Sequence, residues 1–292
     1  MTAVVARTTR DVLTVSGPDA VTWMQGQLSQ DVAGLAVGDV AWTFVLAPQG
    51  KVDGWGRVTR TADDTLRIDV DAGAGDAWSA RLQRFKLRTK ADVELATDVA
   101  TVAVRGPRPE TPGATATAVA GALPAGWPGT DGVDVLDASG DLVDALVADG
   151  ATEIDEAALD ALRIRTGAPR WGAELDADTI PATVGQWAID AAVSFTKGCF
   201  TGQELVARID SRGGNVPRRL AGLVVDGPPP AVGTQVTVDG GPAGTVTSSA
   251  PDTATGGSVA LAYVPRAIDV PATAEVGGRP AGLTALPMPA VS

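Results

Sequence analysis

The chain has 292 residues, 45% apolar and 20% charged, with a formal net charge of −12. That composition fits a soluble globular protein of one large or two ordinary domains, and the acidic balance disfavours general nucleic-acid binding, which needs a basic surface. With no histidine and one cysteine, histidine-based triads, histidine metal sites, an intramolecular disulfide and a multi-thiolate cage within one copy are all removed, so no metal site is expected. No apolar run nears the ~20 residues of a membrane span, and Arg7, Arg10 and Asp11 break up the N-terminus. We therefore expect no signal peptide, no membrane attachment and a cytoplasmic location.

Val12 to Val15 reads as a strand ended by Ser16-Gly17-Pro18-Asp19, and Ala20 to Leu28 as a helix with Val21, Met24 and Leu28 on one face and Asp19 as N-cap. Gln25 and Gln27 flank that stripe without sharing a face, which leaves them as surface amides or as the polar lining of a ligand site. Alternation predicts strands over 39–46, 52–60 and 64–71, with a turn at Ala47-Pro48-Gln49-Gly50-Lys51. A helix is expected from Asp76 to Arg84. A basic segment follows, Arg81, Arg84, Lys86, Arg88 and Lys90; from Arg84 the charges alternate with Phe85, Leu87 and Thr89, the period of a strand with one basic face. That face is either solvated or a patch for an anionic tail or phosphate.

Strands follow over 93–104 and 133–137. Between them lies a Pro- and Gly-rich stretch with room for a short helix at Thr115 to Leu123, and Leu142 to Ala148 is apolar without a clear period. Ile154 to Thr166 is the clearest helix, ended by Gly167, with Arg163 and Arg165 placed where the macrodipole favours cations. Irregular sequence then predicts that residues 168–195 wrap over the surface of the first domain. Past Asn215, short strands at 220–225, 235–238, 243–247, 259–264 and 272–276 alternate with Gly/Pro turns, the texture of a small β-barrel or sandwich. We place the domains at 1–215 and 216–292.

One stretch combines a nucleophile with groups able to tune it: Lys197-Gly198-Cys199-Phe200-Thr201-Gly202-Gln203-Glu204. Thr201 and Glu204 fit a capping box, which predicts a helix from Gly202 and sets Cys199 just outside its N-terminus, two residues from Lys197. A helix N-terminus and a cation both favour thiolate over thiol. The plainer alternatives are an inert buried cysteine, a solvated lysine and a glutamate that only caps.

These residues, with Leu205-Val206-Ala207-Arg208 after them, resemble the K-G-C-[YF]-x-G-Q-E signature of the YgfZ family, folate-binding proteins related to the T-protein (aminomethyltransferase) of the glycine cleavage system. Trp23-Met24-Gln25-Gly26-Gln27 with Asp31, Pro48-Gln49-Gly50-Lys51, Leu162-Arg163-Ile164 with Gly167, and Ala260-Leu261-Ala262-Tyr263-Val264 are similar to other segments of that family. The resemblance implies an α+β, T-protein-like folate-binding fold with a central channel, then a small C-terminal β-barrel. It also implies tetrahydrofolate or a one-carbon derivative as ligand, and a role in assembly or repair of iron–sulfur enzymes that reaches tRNA modification indirectly. Partners would be the iron–sulfur assembly machinery or its client proteins.

Carried onto this chain, the resemblance gives Cys199 as the working thiol beside Lys197, with Gly198, Phe200, Gly202, Gln203, Glu204 and Arg208 as motif positions. Gln25, Gln27, Asp31, Lys51 and Arg165 fall where the ligand would be held. T-proteins carry a pterin-binding glutamate at the position of Arg165, and arginine cannot accept a hydrogen bond from a pterin N–H. They also carry an Asp-Asp pair after a Gly-Gly turn, where this chain has Asp53 alone. Three readings stand: an accessory protein with a reactive thiol, a tetrahydrofolate-dependent aminomethyltransferase using Asp53, and a non-folate binding module on the same fold.

Overall fold

The structure, a computed structural model, describes residues 3–106, 121–253 and 255–289. The first region is built on β1 (Val4–Ser16), β2 (Val40–Leu46), β3 (Val52–Ala62), β4 (Thr65–Asp71), β5 (Asp92–Gly106), β6 (Ala122–Pro124), β7 (Asp131–Leu136) and β8 (Thr152–Glu153). They form one sheet in the order β2-β3-β4-β1-β5-β7-β6, antiparallel throughout, with the short β8 added parallel to β1. Its helices are α1 (Ala20–Gln27), α2 (Gly75–Arg84), α3 (Leu142–Ala148), α4 (Glu156–Thr166), α5 (Gln186–Ala192) and α6 (Gln203–Asp210).

Strand alternation gives the sheet two unlike faces. Leu13, Val15, Val58, Ile68 and Val70 meet Met24 of α1 and Trp78 and Leu82 of α2 in an apolar cluster, and Val5, Val102, Val104 and Val133 meet Val143 and Leu146 of α3 in another. The opposite face is aromatic and ionic. Trp42 pairs with Arg57 and Arg57 with Asp69 across the strands, and cross-strand partners share a face.

The second region is a closed barrel of β9 (Arg218–Val225), β10 (Gln235–Val238), β11 (Gly241–Asp252), β12 (Gly257–Pro265), β13 (Ala272–Val276) and β14 (Arg279–Thr284), in the order β10-β11-β12-β9-β14-β13. Closure leaves no free sheet edge. Ala260, Ala262 and Val264 point into the barrel, while Val259 and Leu261 point out into a core shared with Phe44, Trp55, Ile164 and Ile189. Strands apolar on both faces account for the unbroken run from Val259 to Val264.

Glu174 clamps the two regions together. It is 1% exposed and accepts from Arg163 Nη1 (2.9 Å), Thr247 Oγ1 (2.8 Å) and Ser248 Oγ (2.5 Å). Arg163 is thus buried in this clamp and not simply a cation at a helix end.

Several expectations need correction. Residues 85–91 are turn and coil, not strand, because α2 runs to Arg84 and the basic segment only rounds the corner into β5. Residues 168–195 do not lie over the surface: Leu175, Val184, Ala188, Ile189 and Ala192 are core residues, 0–3% exposed. Asp19 sits at the N-cap but gives α1 no side-chain bond; its carboxylate accepts from Lys90 N instead. Of the helix expected at Thr115 to Leu123, residues 115–120 lie outside the described residues, and Ala122–Pro124 is a strand. Strand β14 was not foreseen, since its Gly- and Pro-containing sequence looks like turn.

Candidate functional site

The sequence motifs converge at the C-terminal end of α1. A helix leaves its last carbonyls without intrahelical donors, and here the thiol loop supplies them. Lys197 Nζ donates to the carbonyls of Gln25 (2.6 Å), Leu28 (2.7 Å) and Gln30 (2.9 Å), and Thr201 N donates to Gly26 O at 3.2 Å. Further bonds lace the two segments: Ser194 N to Ser29 O (3.0 Å), Ser29 Oγ to Ala192 O (2.6 Å) and Gln30 Nε2 to Ala191 O (3.0 Å). Burial lowers the pKa of Lys197 to about 8 against the opposing pull of Asp31, so its ammonium remains the main form at neutral pH. Its three donors point at backbone oxygens, and its charge lies 5.1 Å from the centre of the Phe200 ring.

Cys199 is exposed. The capping box does not form. Helix α6 starts at Gln203 with Gly202 as N-cap and no side-chain cap, while Gln203 Oε1 accepts from Phe200 N at 3.2 Å and Glu204 is exposed. Gly202 has φ +79°, and a Cβ there would stand 2.5 Å from Ala47 O and 2.7 Å from Leu46 Cβ. Gly50 faces it with φ +78°, its own missing Cβ 2.5 Å from Leu205 Cβ. Two glycines thus let the β2–β3 turn and the thiol loop touch backbone to backbone. Gly198 has open space around it, and Arg208 is exposed on α6.

Asp53 reaches the same neighbourhood through a bulge. Val45 pairs with Gly54 and Leu46 with Val52, so Asp53 is the extra residue and its side chain is re-aimed. It accepts from Arg81 Nε at 3.0 Å. Arg81 is 8% exposed, donates also to Gln27 Oε1 and Leu46 O (3.2 Å each), and lies 3.8 Å from the Phe85 ring centre. The expected acid–base residue is therefore held in an ion pair. Arg81, seen in the sequence only as one of a run of basic residues, is the hub of this cluster.

The remaining expected ligand positions separate. Gln25 closes its own loop, donating to Asp31 Oδ1 (2.8 Å) and accepting from Val32 N (2.9 Å) and Ala33 N (3.1 Å). Lys51 pairs with Asp178 at 2.5 Å. Arg165 donates to Asp252 Oδ2 (2.5 Å) and to Pro289 O (3.3 Å), at the edge of a cleft of about 450 Å³ lined by Pro271, Leu283 and Met288 of the barrel region. A second cleft, about 510 Å³, lies between Asp176 and the barrel residues Arg218, Thr245 and Tyr263.

The inner sheet face went unnoticed in the sequence. Trp42 stacks on Trp55 (centroids 4.5 Å apart, planes 9° apart), and Trp187 meets Trp55 edge-on at 6.0 Å. Beside them, Arg57 bonds Asp69 (2.7 Å) and Asp134 (2.8 Å), and Arg105 bonds Asp134 (2.8 Å). Burial pushes the Asp134 carboxyl up, but Arg105 and Arg57 outweigh it and bring it to about 2. Trp42 Nε1 and, two residues along β3 from its cross-strand partner Arg57, Thr59 Oγ1 are buried without a hydrogen-bond partner among the described residues. Gly126 lies over the Trp42 nitrogen, where a Cβ would stand 2.5 Å away. Among the described residues, no group of three or more acidic or cysteine side chains could hold a metal ion, and no helix is long and apolar enough to cross a membrane.

Residues 218–291 match the glycine cleavage T-protein C-terminal barrel domain. The chain is 29% identical to an aminomethyltransferase of Streptomyces avermitilis, over 91% of this chain and 78% of that one. To an aminomethyltransferase of Thermus thermophilus it is 28% identical, over 94% and 83%. An uncharacterized protein of Haemophilus influenzae is 25% identical, over 74% and 71%. A crystal structure of glycine cleavage system aminomethyltransferase T from Bartonella henselae superposes with a TM-score of 0.76 at 21% identity, covering 98% of this chain and 86% of that one. The chain thus has the T-protein-like fold, ending in a T-protein C-terminal barrel.

Proposed function

We propose that this chain is a tetrahydrofolate-binding accessory protein of the YgfZ type. In this reading it works in the cytoplasm on the assembly or repair of iron–sulfur enzymes, affects tRNA modification through them, and uses Cys199 as its working thiol. The likeness to aminomethyltransferases supports a folate ligand. The observation that carries the reading is the contrast between two candidate groups: Cys199 is exposed on a loop fixed to α1, while Asp53 is held by Arg81. A chain with one thiol cannot cage a cluster by itself, which suits an accessory that meets client proteins or the assembly machinery. Residues 1–215 would hold the ligand and 216–292 would brace it.

The fit to a pterin is partial. Arg165 offers no acceptor and is bonded to Asp252. The inner sheet face carries indoles at Trp42 and Trp55 and unpaired donors at Trp42 Nε1 and Thr59 Oγ1, group types that suit an aromatic ring bearing acceptor atoms. Trp55 is 2% exposed, however, and Gly126 covers the Trp42 nitrogen, so a ring bound there would have to displace this packing. When bound, a tetrahydrofolate would supply one-carbon chemistry; this chain would supply indole and hydroxyl donors and, on its surface, an exposed thiol. Aminomethyl transfer is the second reading, favoured by the similarity to aminomethyltransferases and opposed by the pairing of Asp53.

Calorimetric titration with tetrahydrofolate tests the ligand, and complementation by Cys199→Ala in a strain lacking the chain tests the thiol. We expect heat on titration, no methylenetetrahydrofolate from an aminomethyl donor, and a folded Cys199→Ala protein that fails to restore iron–sulfur enzyme activity. Absence of binding points to a non-folate module on the same fold. Full complementation by Cys199→Ala removes the thiol role.

A further inference from the structure

The turn between α2 and β5 is an exception on an acidic chain. Arg84, Arg88 and Lys90 are exposed there, and Lys86 is only loosely paired, 3.8 Å from Asp92. Leu87 at its tip is 82% exposed and Phe85 38%. The turn is anchored at both ends. Phe85 lies on the Arg81 guanidinium, 3.8 Å from ring centre to carbon. The Lys90 backbone is pinned by Asp19, whose carboxylate accepts from Lys90 N at 2.8 Å and whose own N donates to Lys90 O at 3.2 Å. Between the anchors Arg88 takes φ +53°, a left-handed conformation uncommon for a residue other than glycine. An exposed apolar residue thus stands in a turn whose cations lie on either side of it along the chain.

We infer that the 84–90 turn is a docking surface for an acidic segment of a partner protein that carries an apolar side chain to meet Leu87. Charge complementarity selects the partner. The net charge of −12 repels extended polyanions and anionic membranes over the molecule as a whole, whereas a short acidic peptide contacts the basic turn alone. Leu87 adds an apolar contact of the kind found inside the polar rim of protein interfaces. The turn also shares a base with the thiol loop: Arg81 bonds Gln27, and the adjacent Gly26 carbonyl accepts from Thr201 N, two residues from Cys199. A protein docked on the turn is thus brought toward Cys199. That last step rests on the thiol reading above; the docking itself does not.

The test is fluorescence anisotropy with a labelled peptide of about twelve residues alternating glutamate and leucine. It is measured at low and at raised salt with the whole chain, with the triple variant Arg84→Glu, Arg88→Glu, Lys90→Glu, with Leu87→Ser, and with Arg279→Glu on the barrel as control. We expect the triple variant to lose tenfold or more in affinity, Leu87→Ser to lose about threefold at both salt concentrations, and Arg279→Glu to match the parent. Unchanged binding by the triple variant, equal loss by Arg279→Glu, or tighter binding of an RNA oligonucleotide or of phosphatidylserine vesicles would overturn the inference. None of these measurements involves Cys199 or folate, so failure here is distinguishable from failure of the proposed function.

Discussion

Replacing Lys197 by methionine separates two roles for the residue beside the thiol. Methionine keeps an unbranched stem against Phe200 but removes the donors that hold the carbonyls of Gln25, Leu28 and Gln30 at 2.6, 2.7 and 2.9 Å. A hydrogen bond involving a charged group contributes about 1.5 kcal/mol or more, so three contribute roughly 4 to 5 kcal/mol. Opposing this is the desolvation of the ammonium, the same effect that lowers its pKa. Water also reaches Gln25 and Gln30 once the lysine is gone. The expected net loss is about 2 to 3 kcal/mol, read as a lower midpoint in urea unfolding with an unchanged slope. Alkylation of Cys199 should become faster at fixed pH, because its loop is no longer tied to α1. A variant of unchanged stability that nonetheless loses cellular function would refute this argument and return Lys197 to the role of tuning the thiol.

Gly202→Ala and Gly198→Ala should differ sharply. At Gly202 the positive φ and the collision with Ala47 O predict a loss of about 2 to 4 kcal/mol, whereas Gly198→Ala, in open space, should stay within about 0.5 kcal/mol in the same urea assay. Acid unfolding reports the inner ion network. Asp134 is lowered from 3.8 to about 2, so its contribution is fully present above pH 3.8 and is lost as the pH falls toward 2. A lowering of this kind corresponds to roughly 2 kcal/mol. Asp134→Asn, which leaves Arg57 and Arg105 short of a carboxylate, should cost about 3 to 5 kcal/mol at neutral pH and flatten that acid limb; an acid limb of unchanged slope would count against the network.

Most of the sheet and barrel was legible because period-two alternation and Gly/Pro turns are local signals. The helix read from Ile154 to Thr166 showed itself through its apolar stripe and Gly167, at φ +77°; it starts at Glu156 because Asp155 is its N-cap, the carboxylate accepting from Ala158 N. The failures were tertiary. Arg84 to Lys90 alternates like a strand, yet the turn's ends are set by Arg81 and Asp19, which lie outside it. Thr201 and Glu204 had the spacing of a capping box, but Thr201 N is taken by Gly26 O and Gly202 must turn left-handed to clear Ala47. Asp53 looked like a catalytic carboxylate in a strand; the bulge that re-aims it depends on the register with β2, which the sequence of β3 alone does not specify. The alternation of Trp42 with Phe44, and of Trp55 with Arg57, was the available signal for the inner face. It read simply as strand, because nothing local shows which face is central.

The spacing of the Lys-Gly-Cys motif has a structural cause that differs from the one its chemistry first suggests. A cation two residues before a thiol invites an electrostatic explanation, but the donors of Lys197 are directed to the end of α1. What the lysine fixes is position. Four carbonyls near that end, at Gln25, Gly26, Leu28 and Gln30, are met by Lys197 and by Thr201 N, and Cys199 lies between those two anchors with no space-filling neighbour at Gly198. The loop between the anchors can therefore hold one exposed side chain outward without disturbing either anchor. Gly50 and Gly202 add a third tether, to the β2–β3 turn. A thiol that must meet a group on another protein needs this arrangement, exposed yet fixed, more than it needs a neighbouring charge.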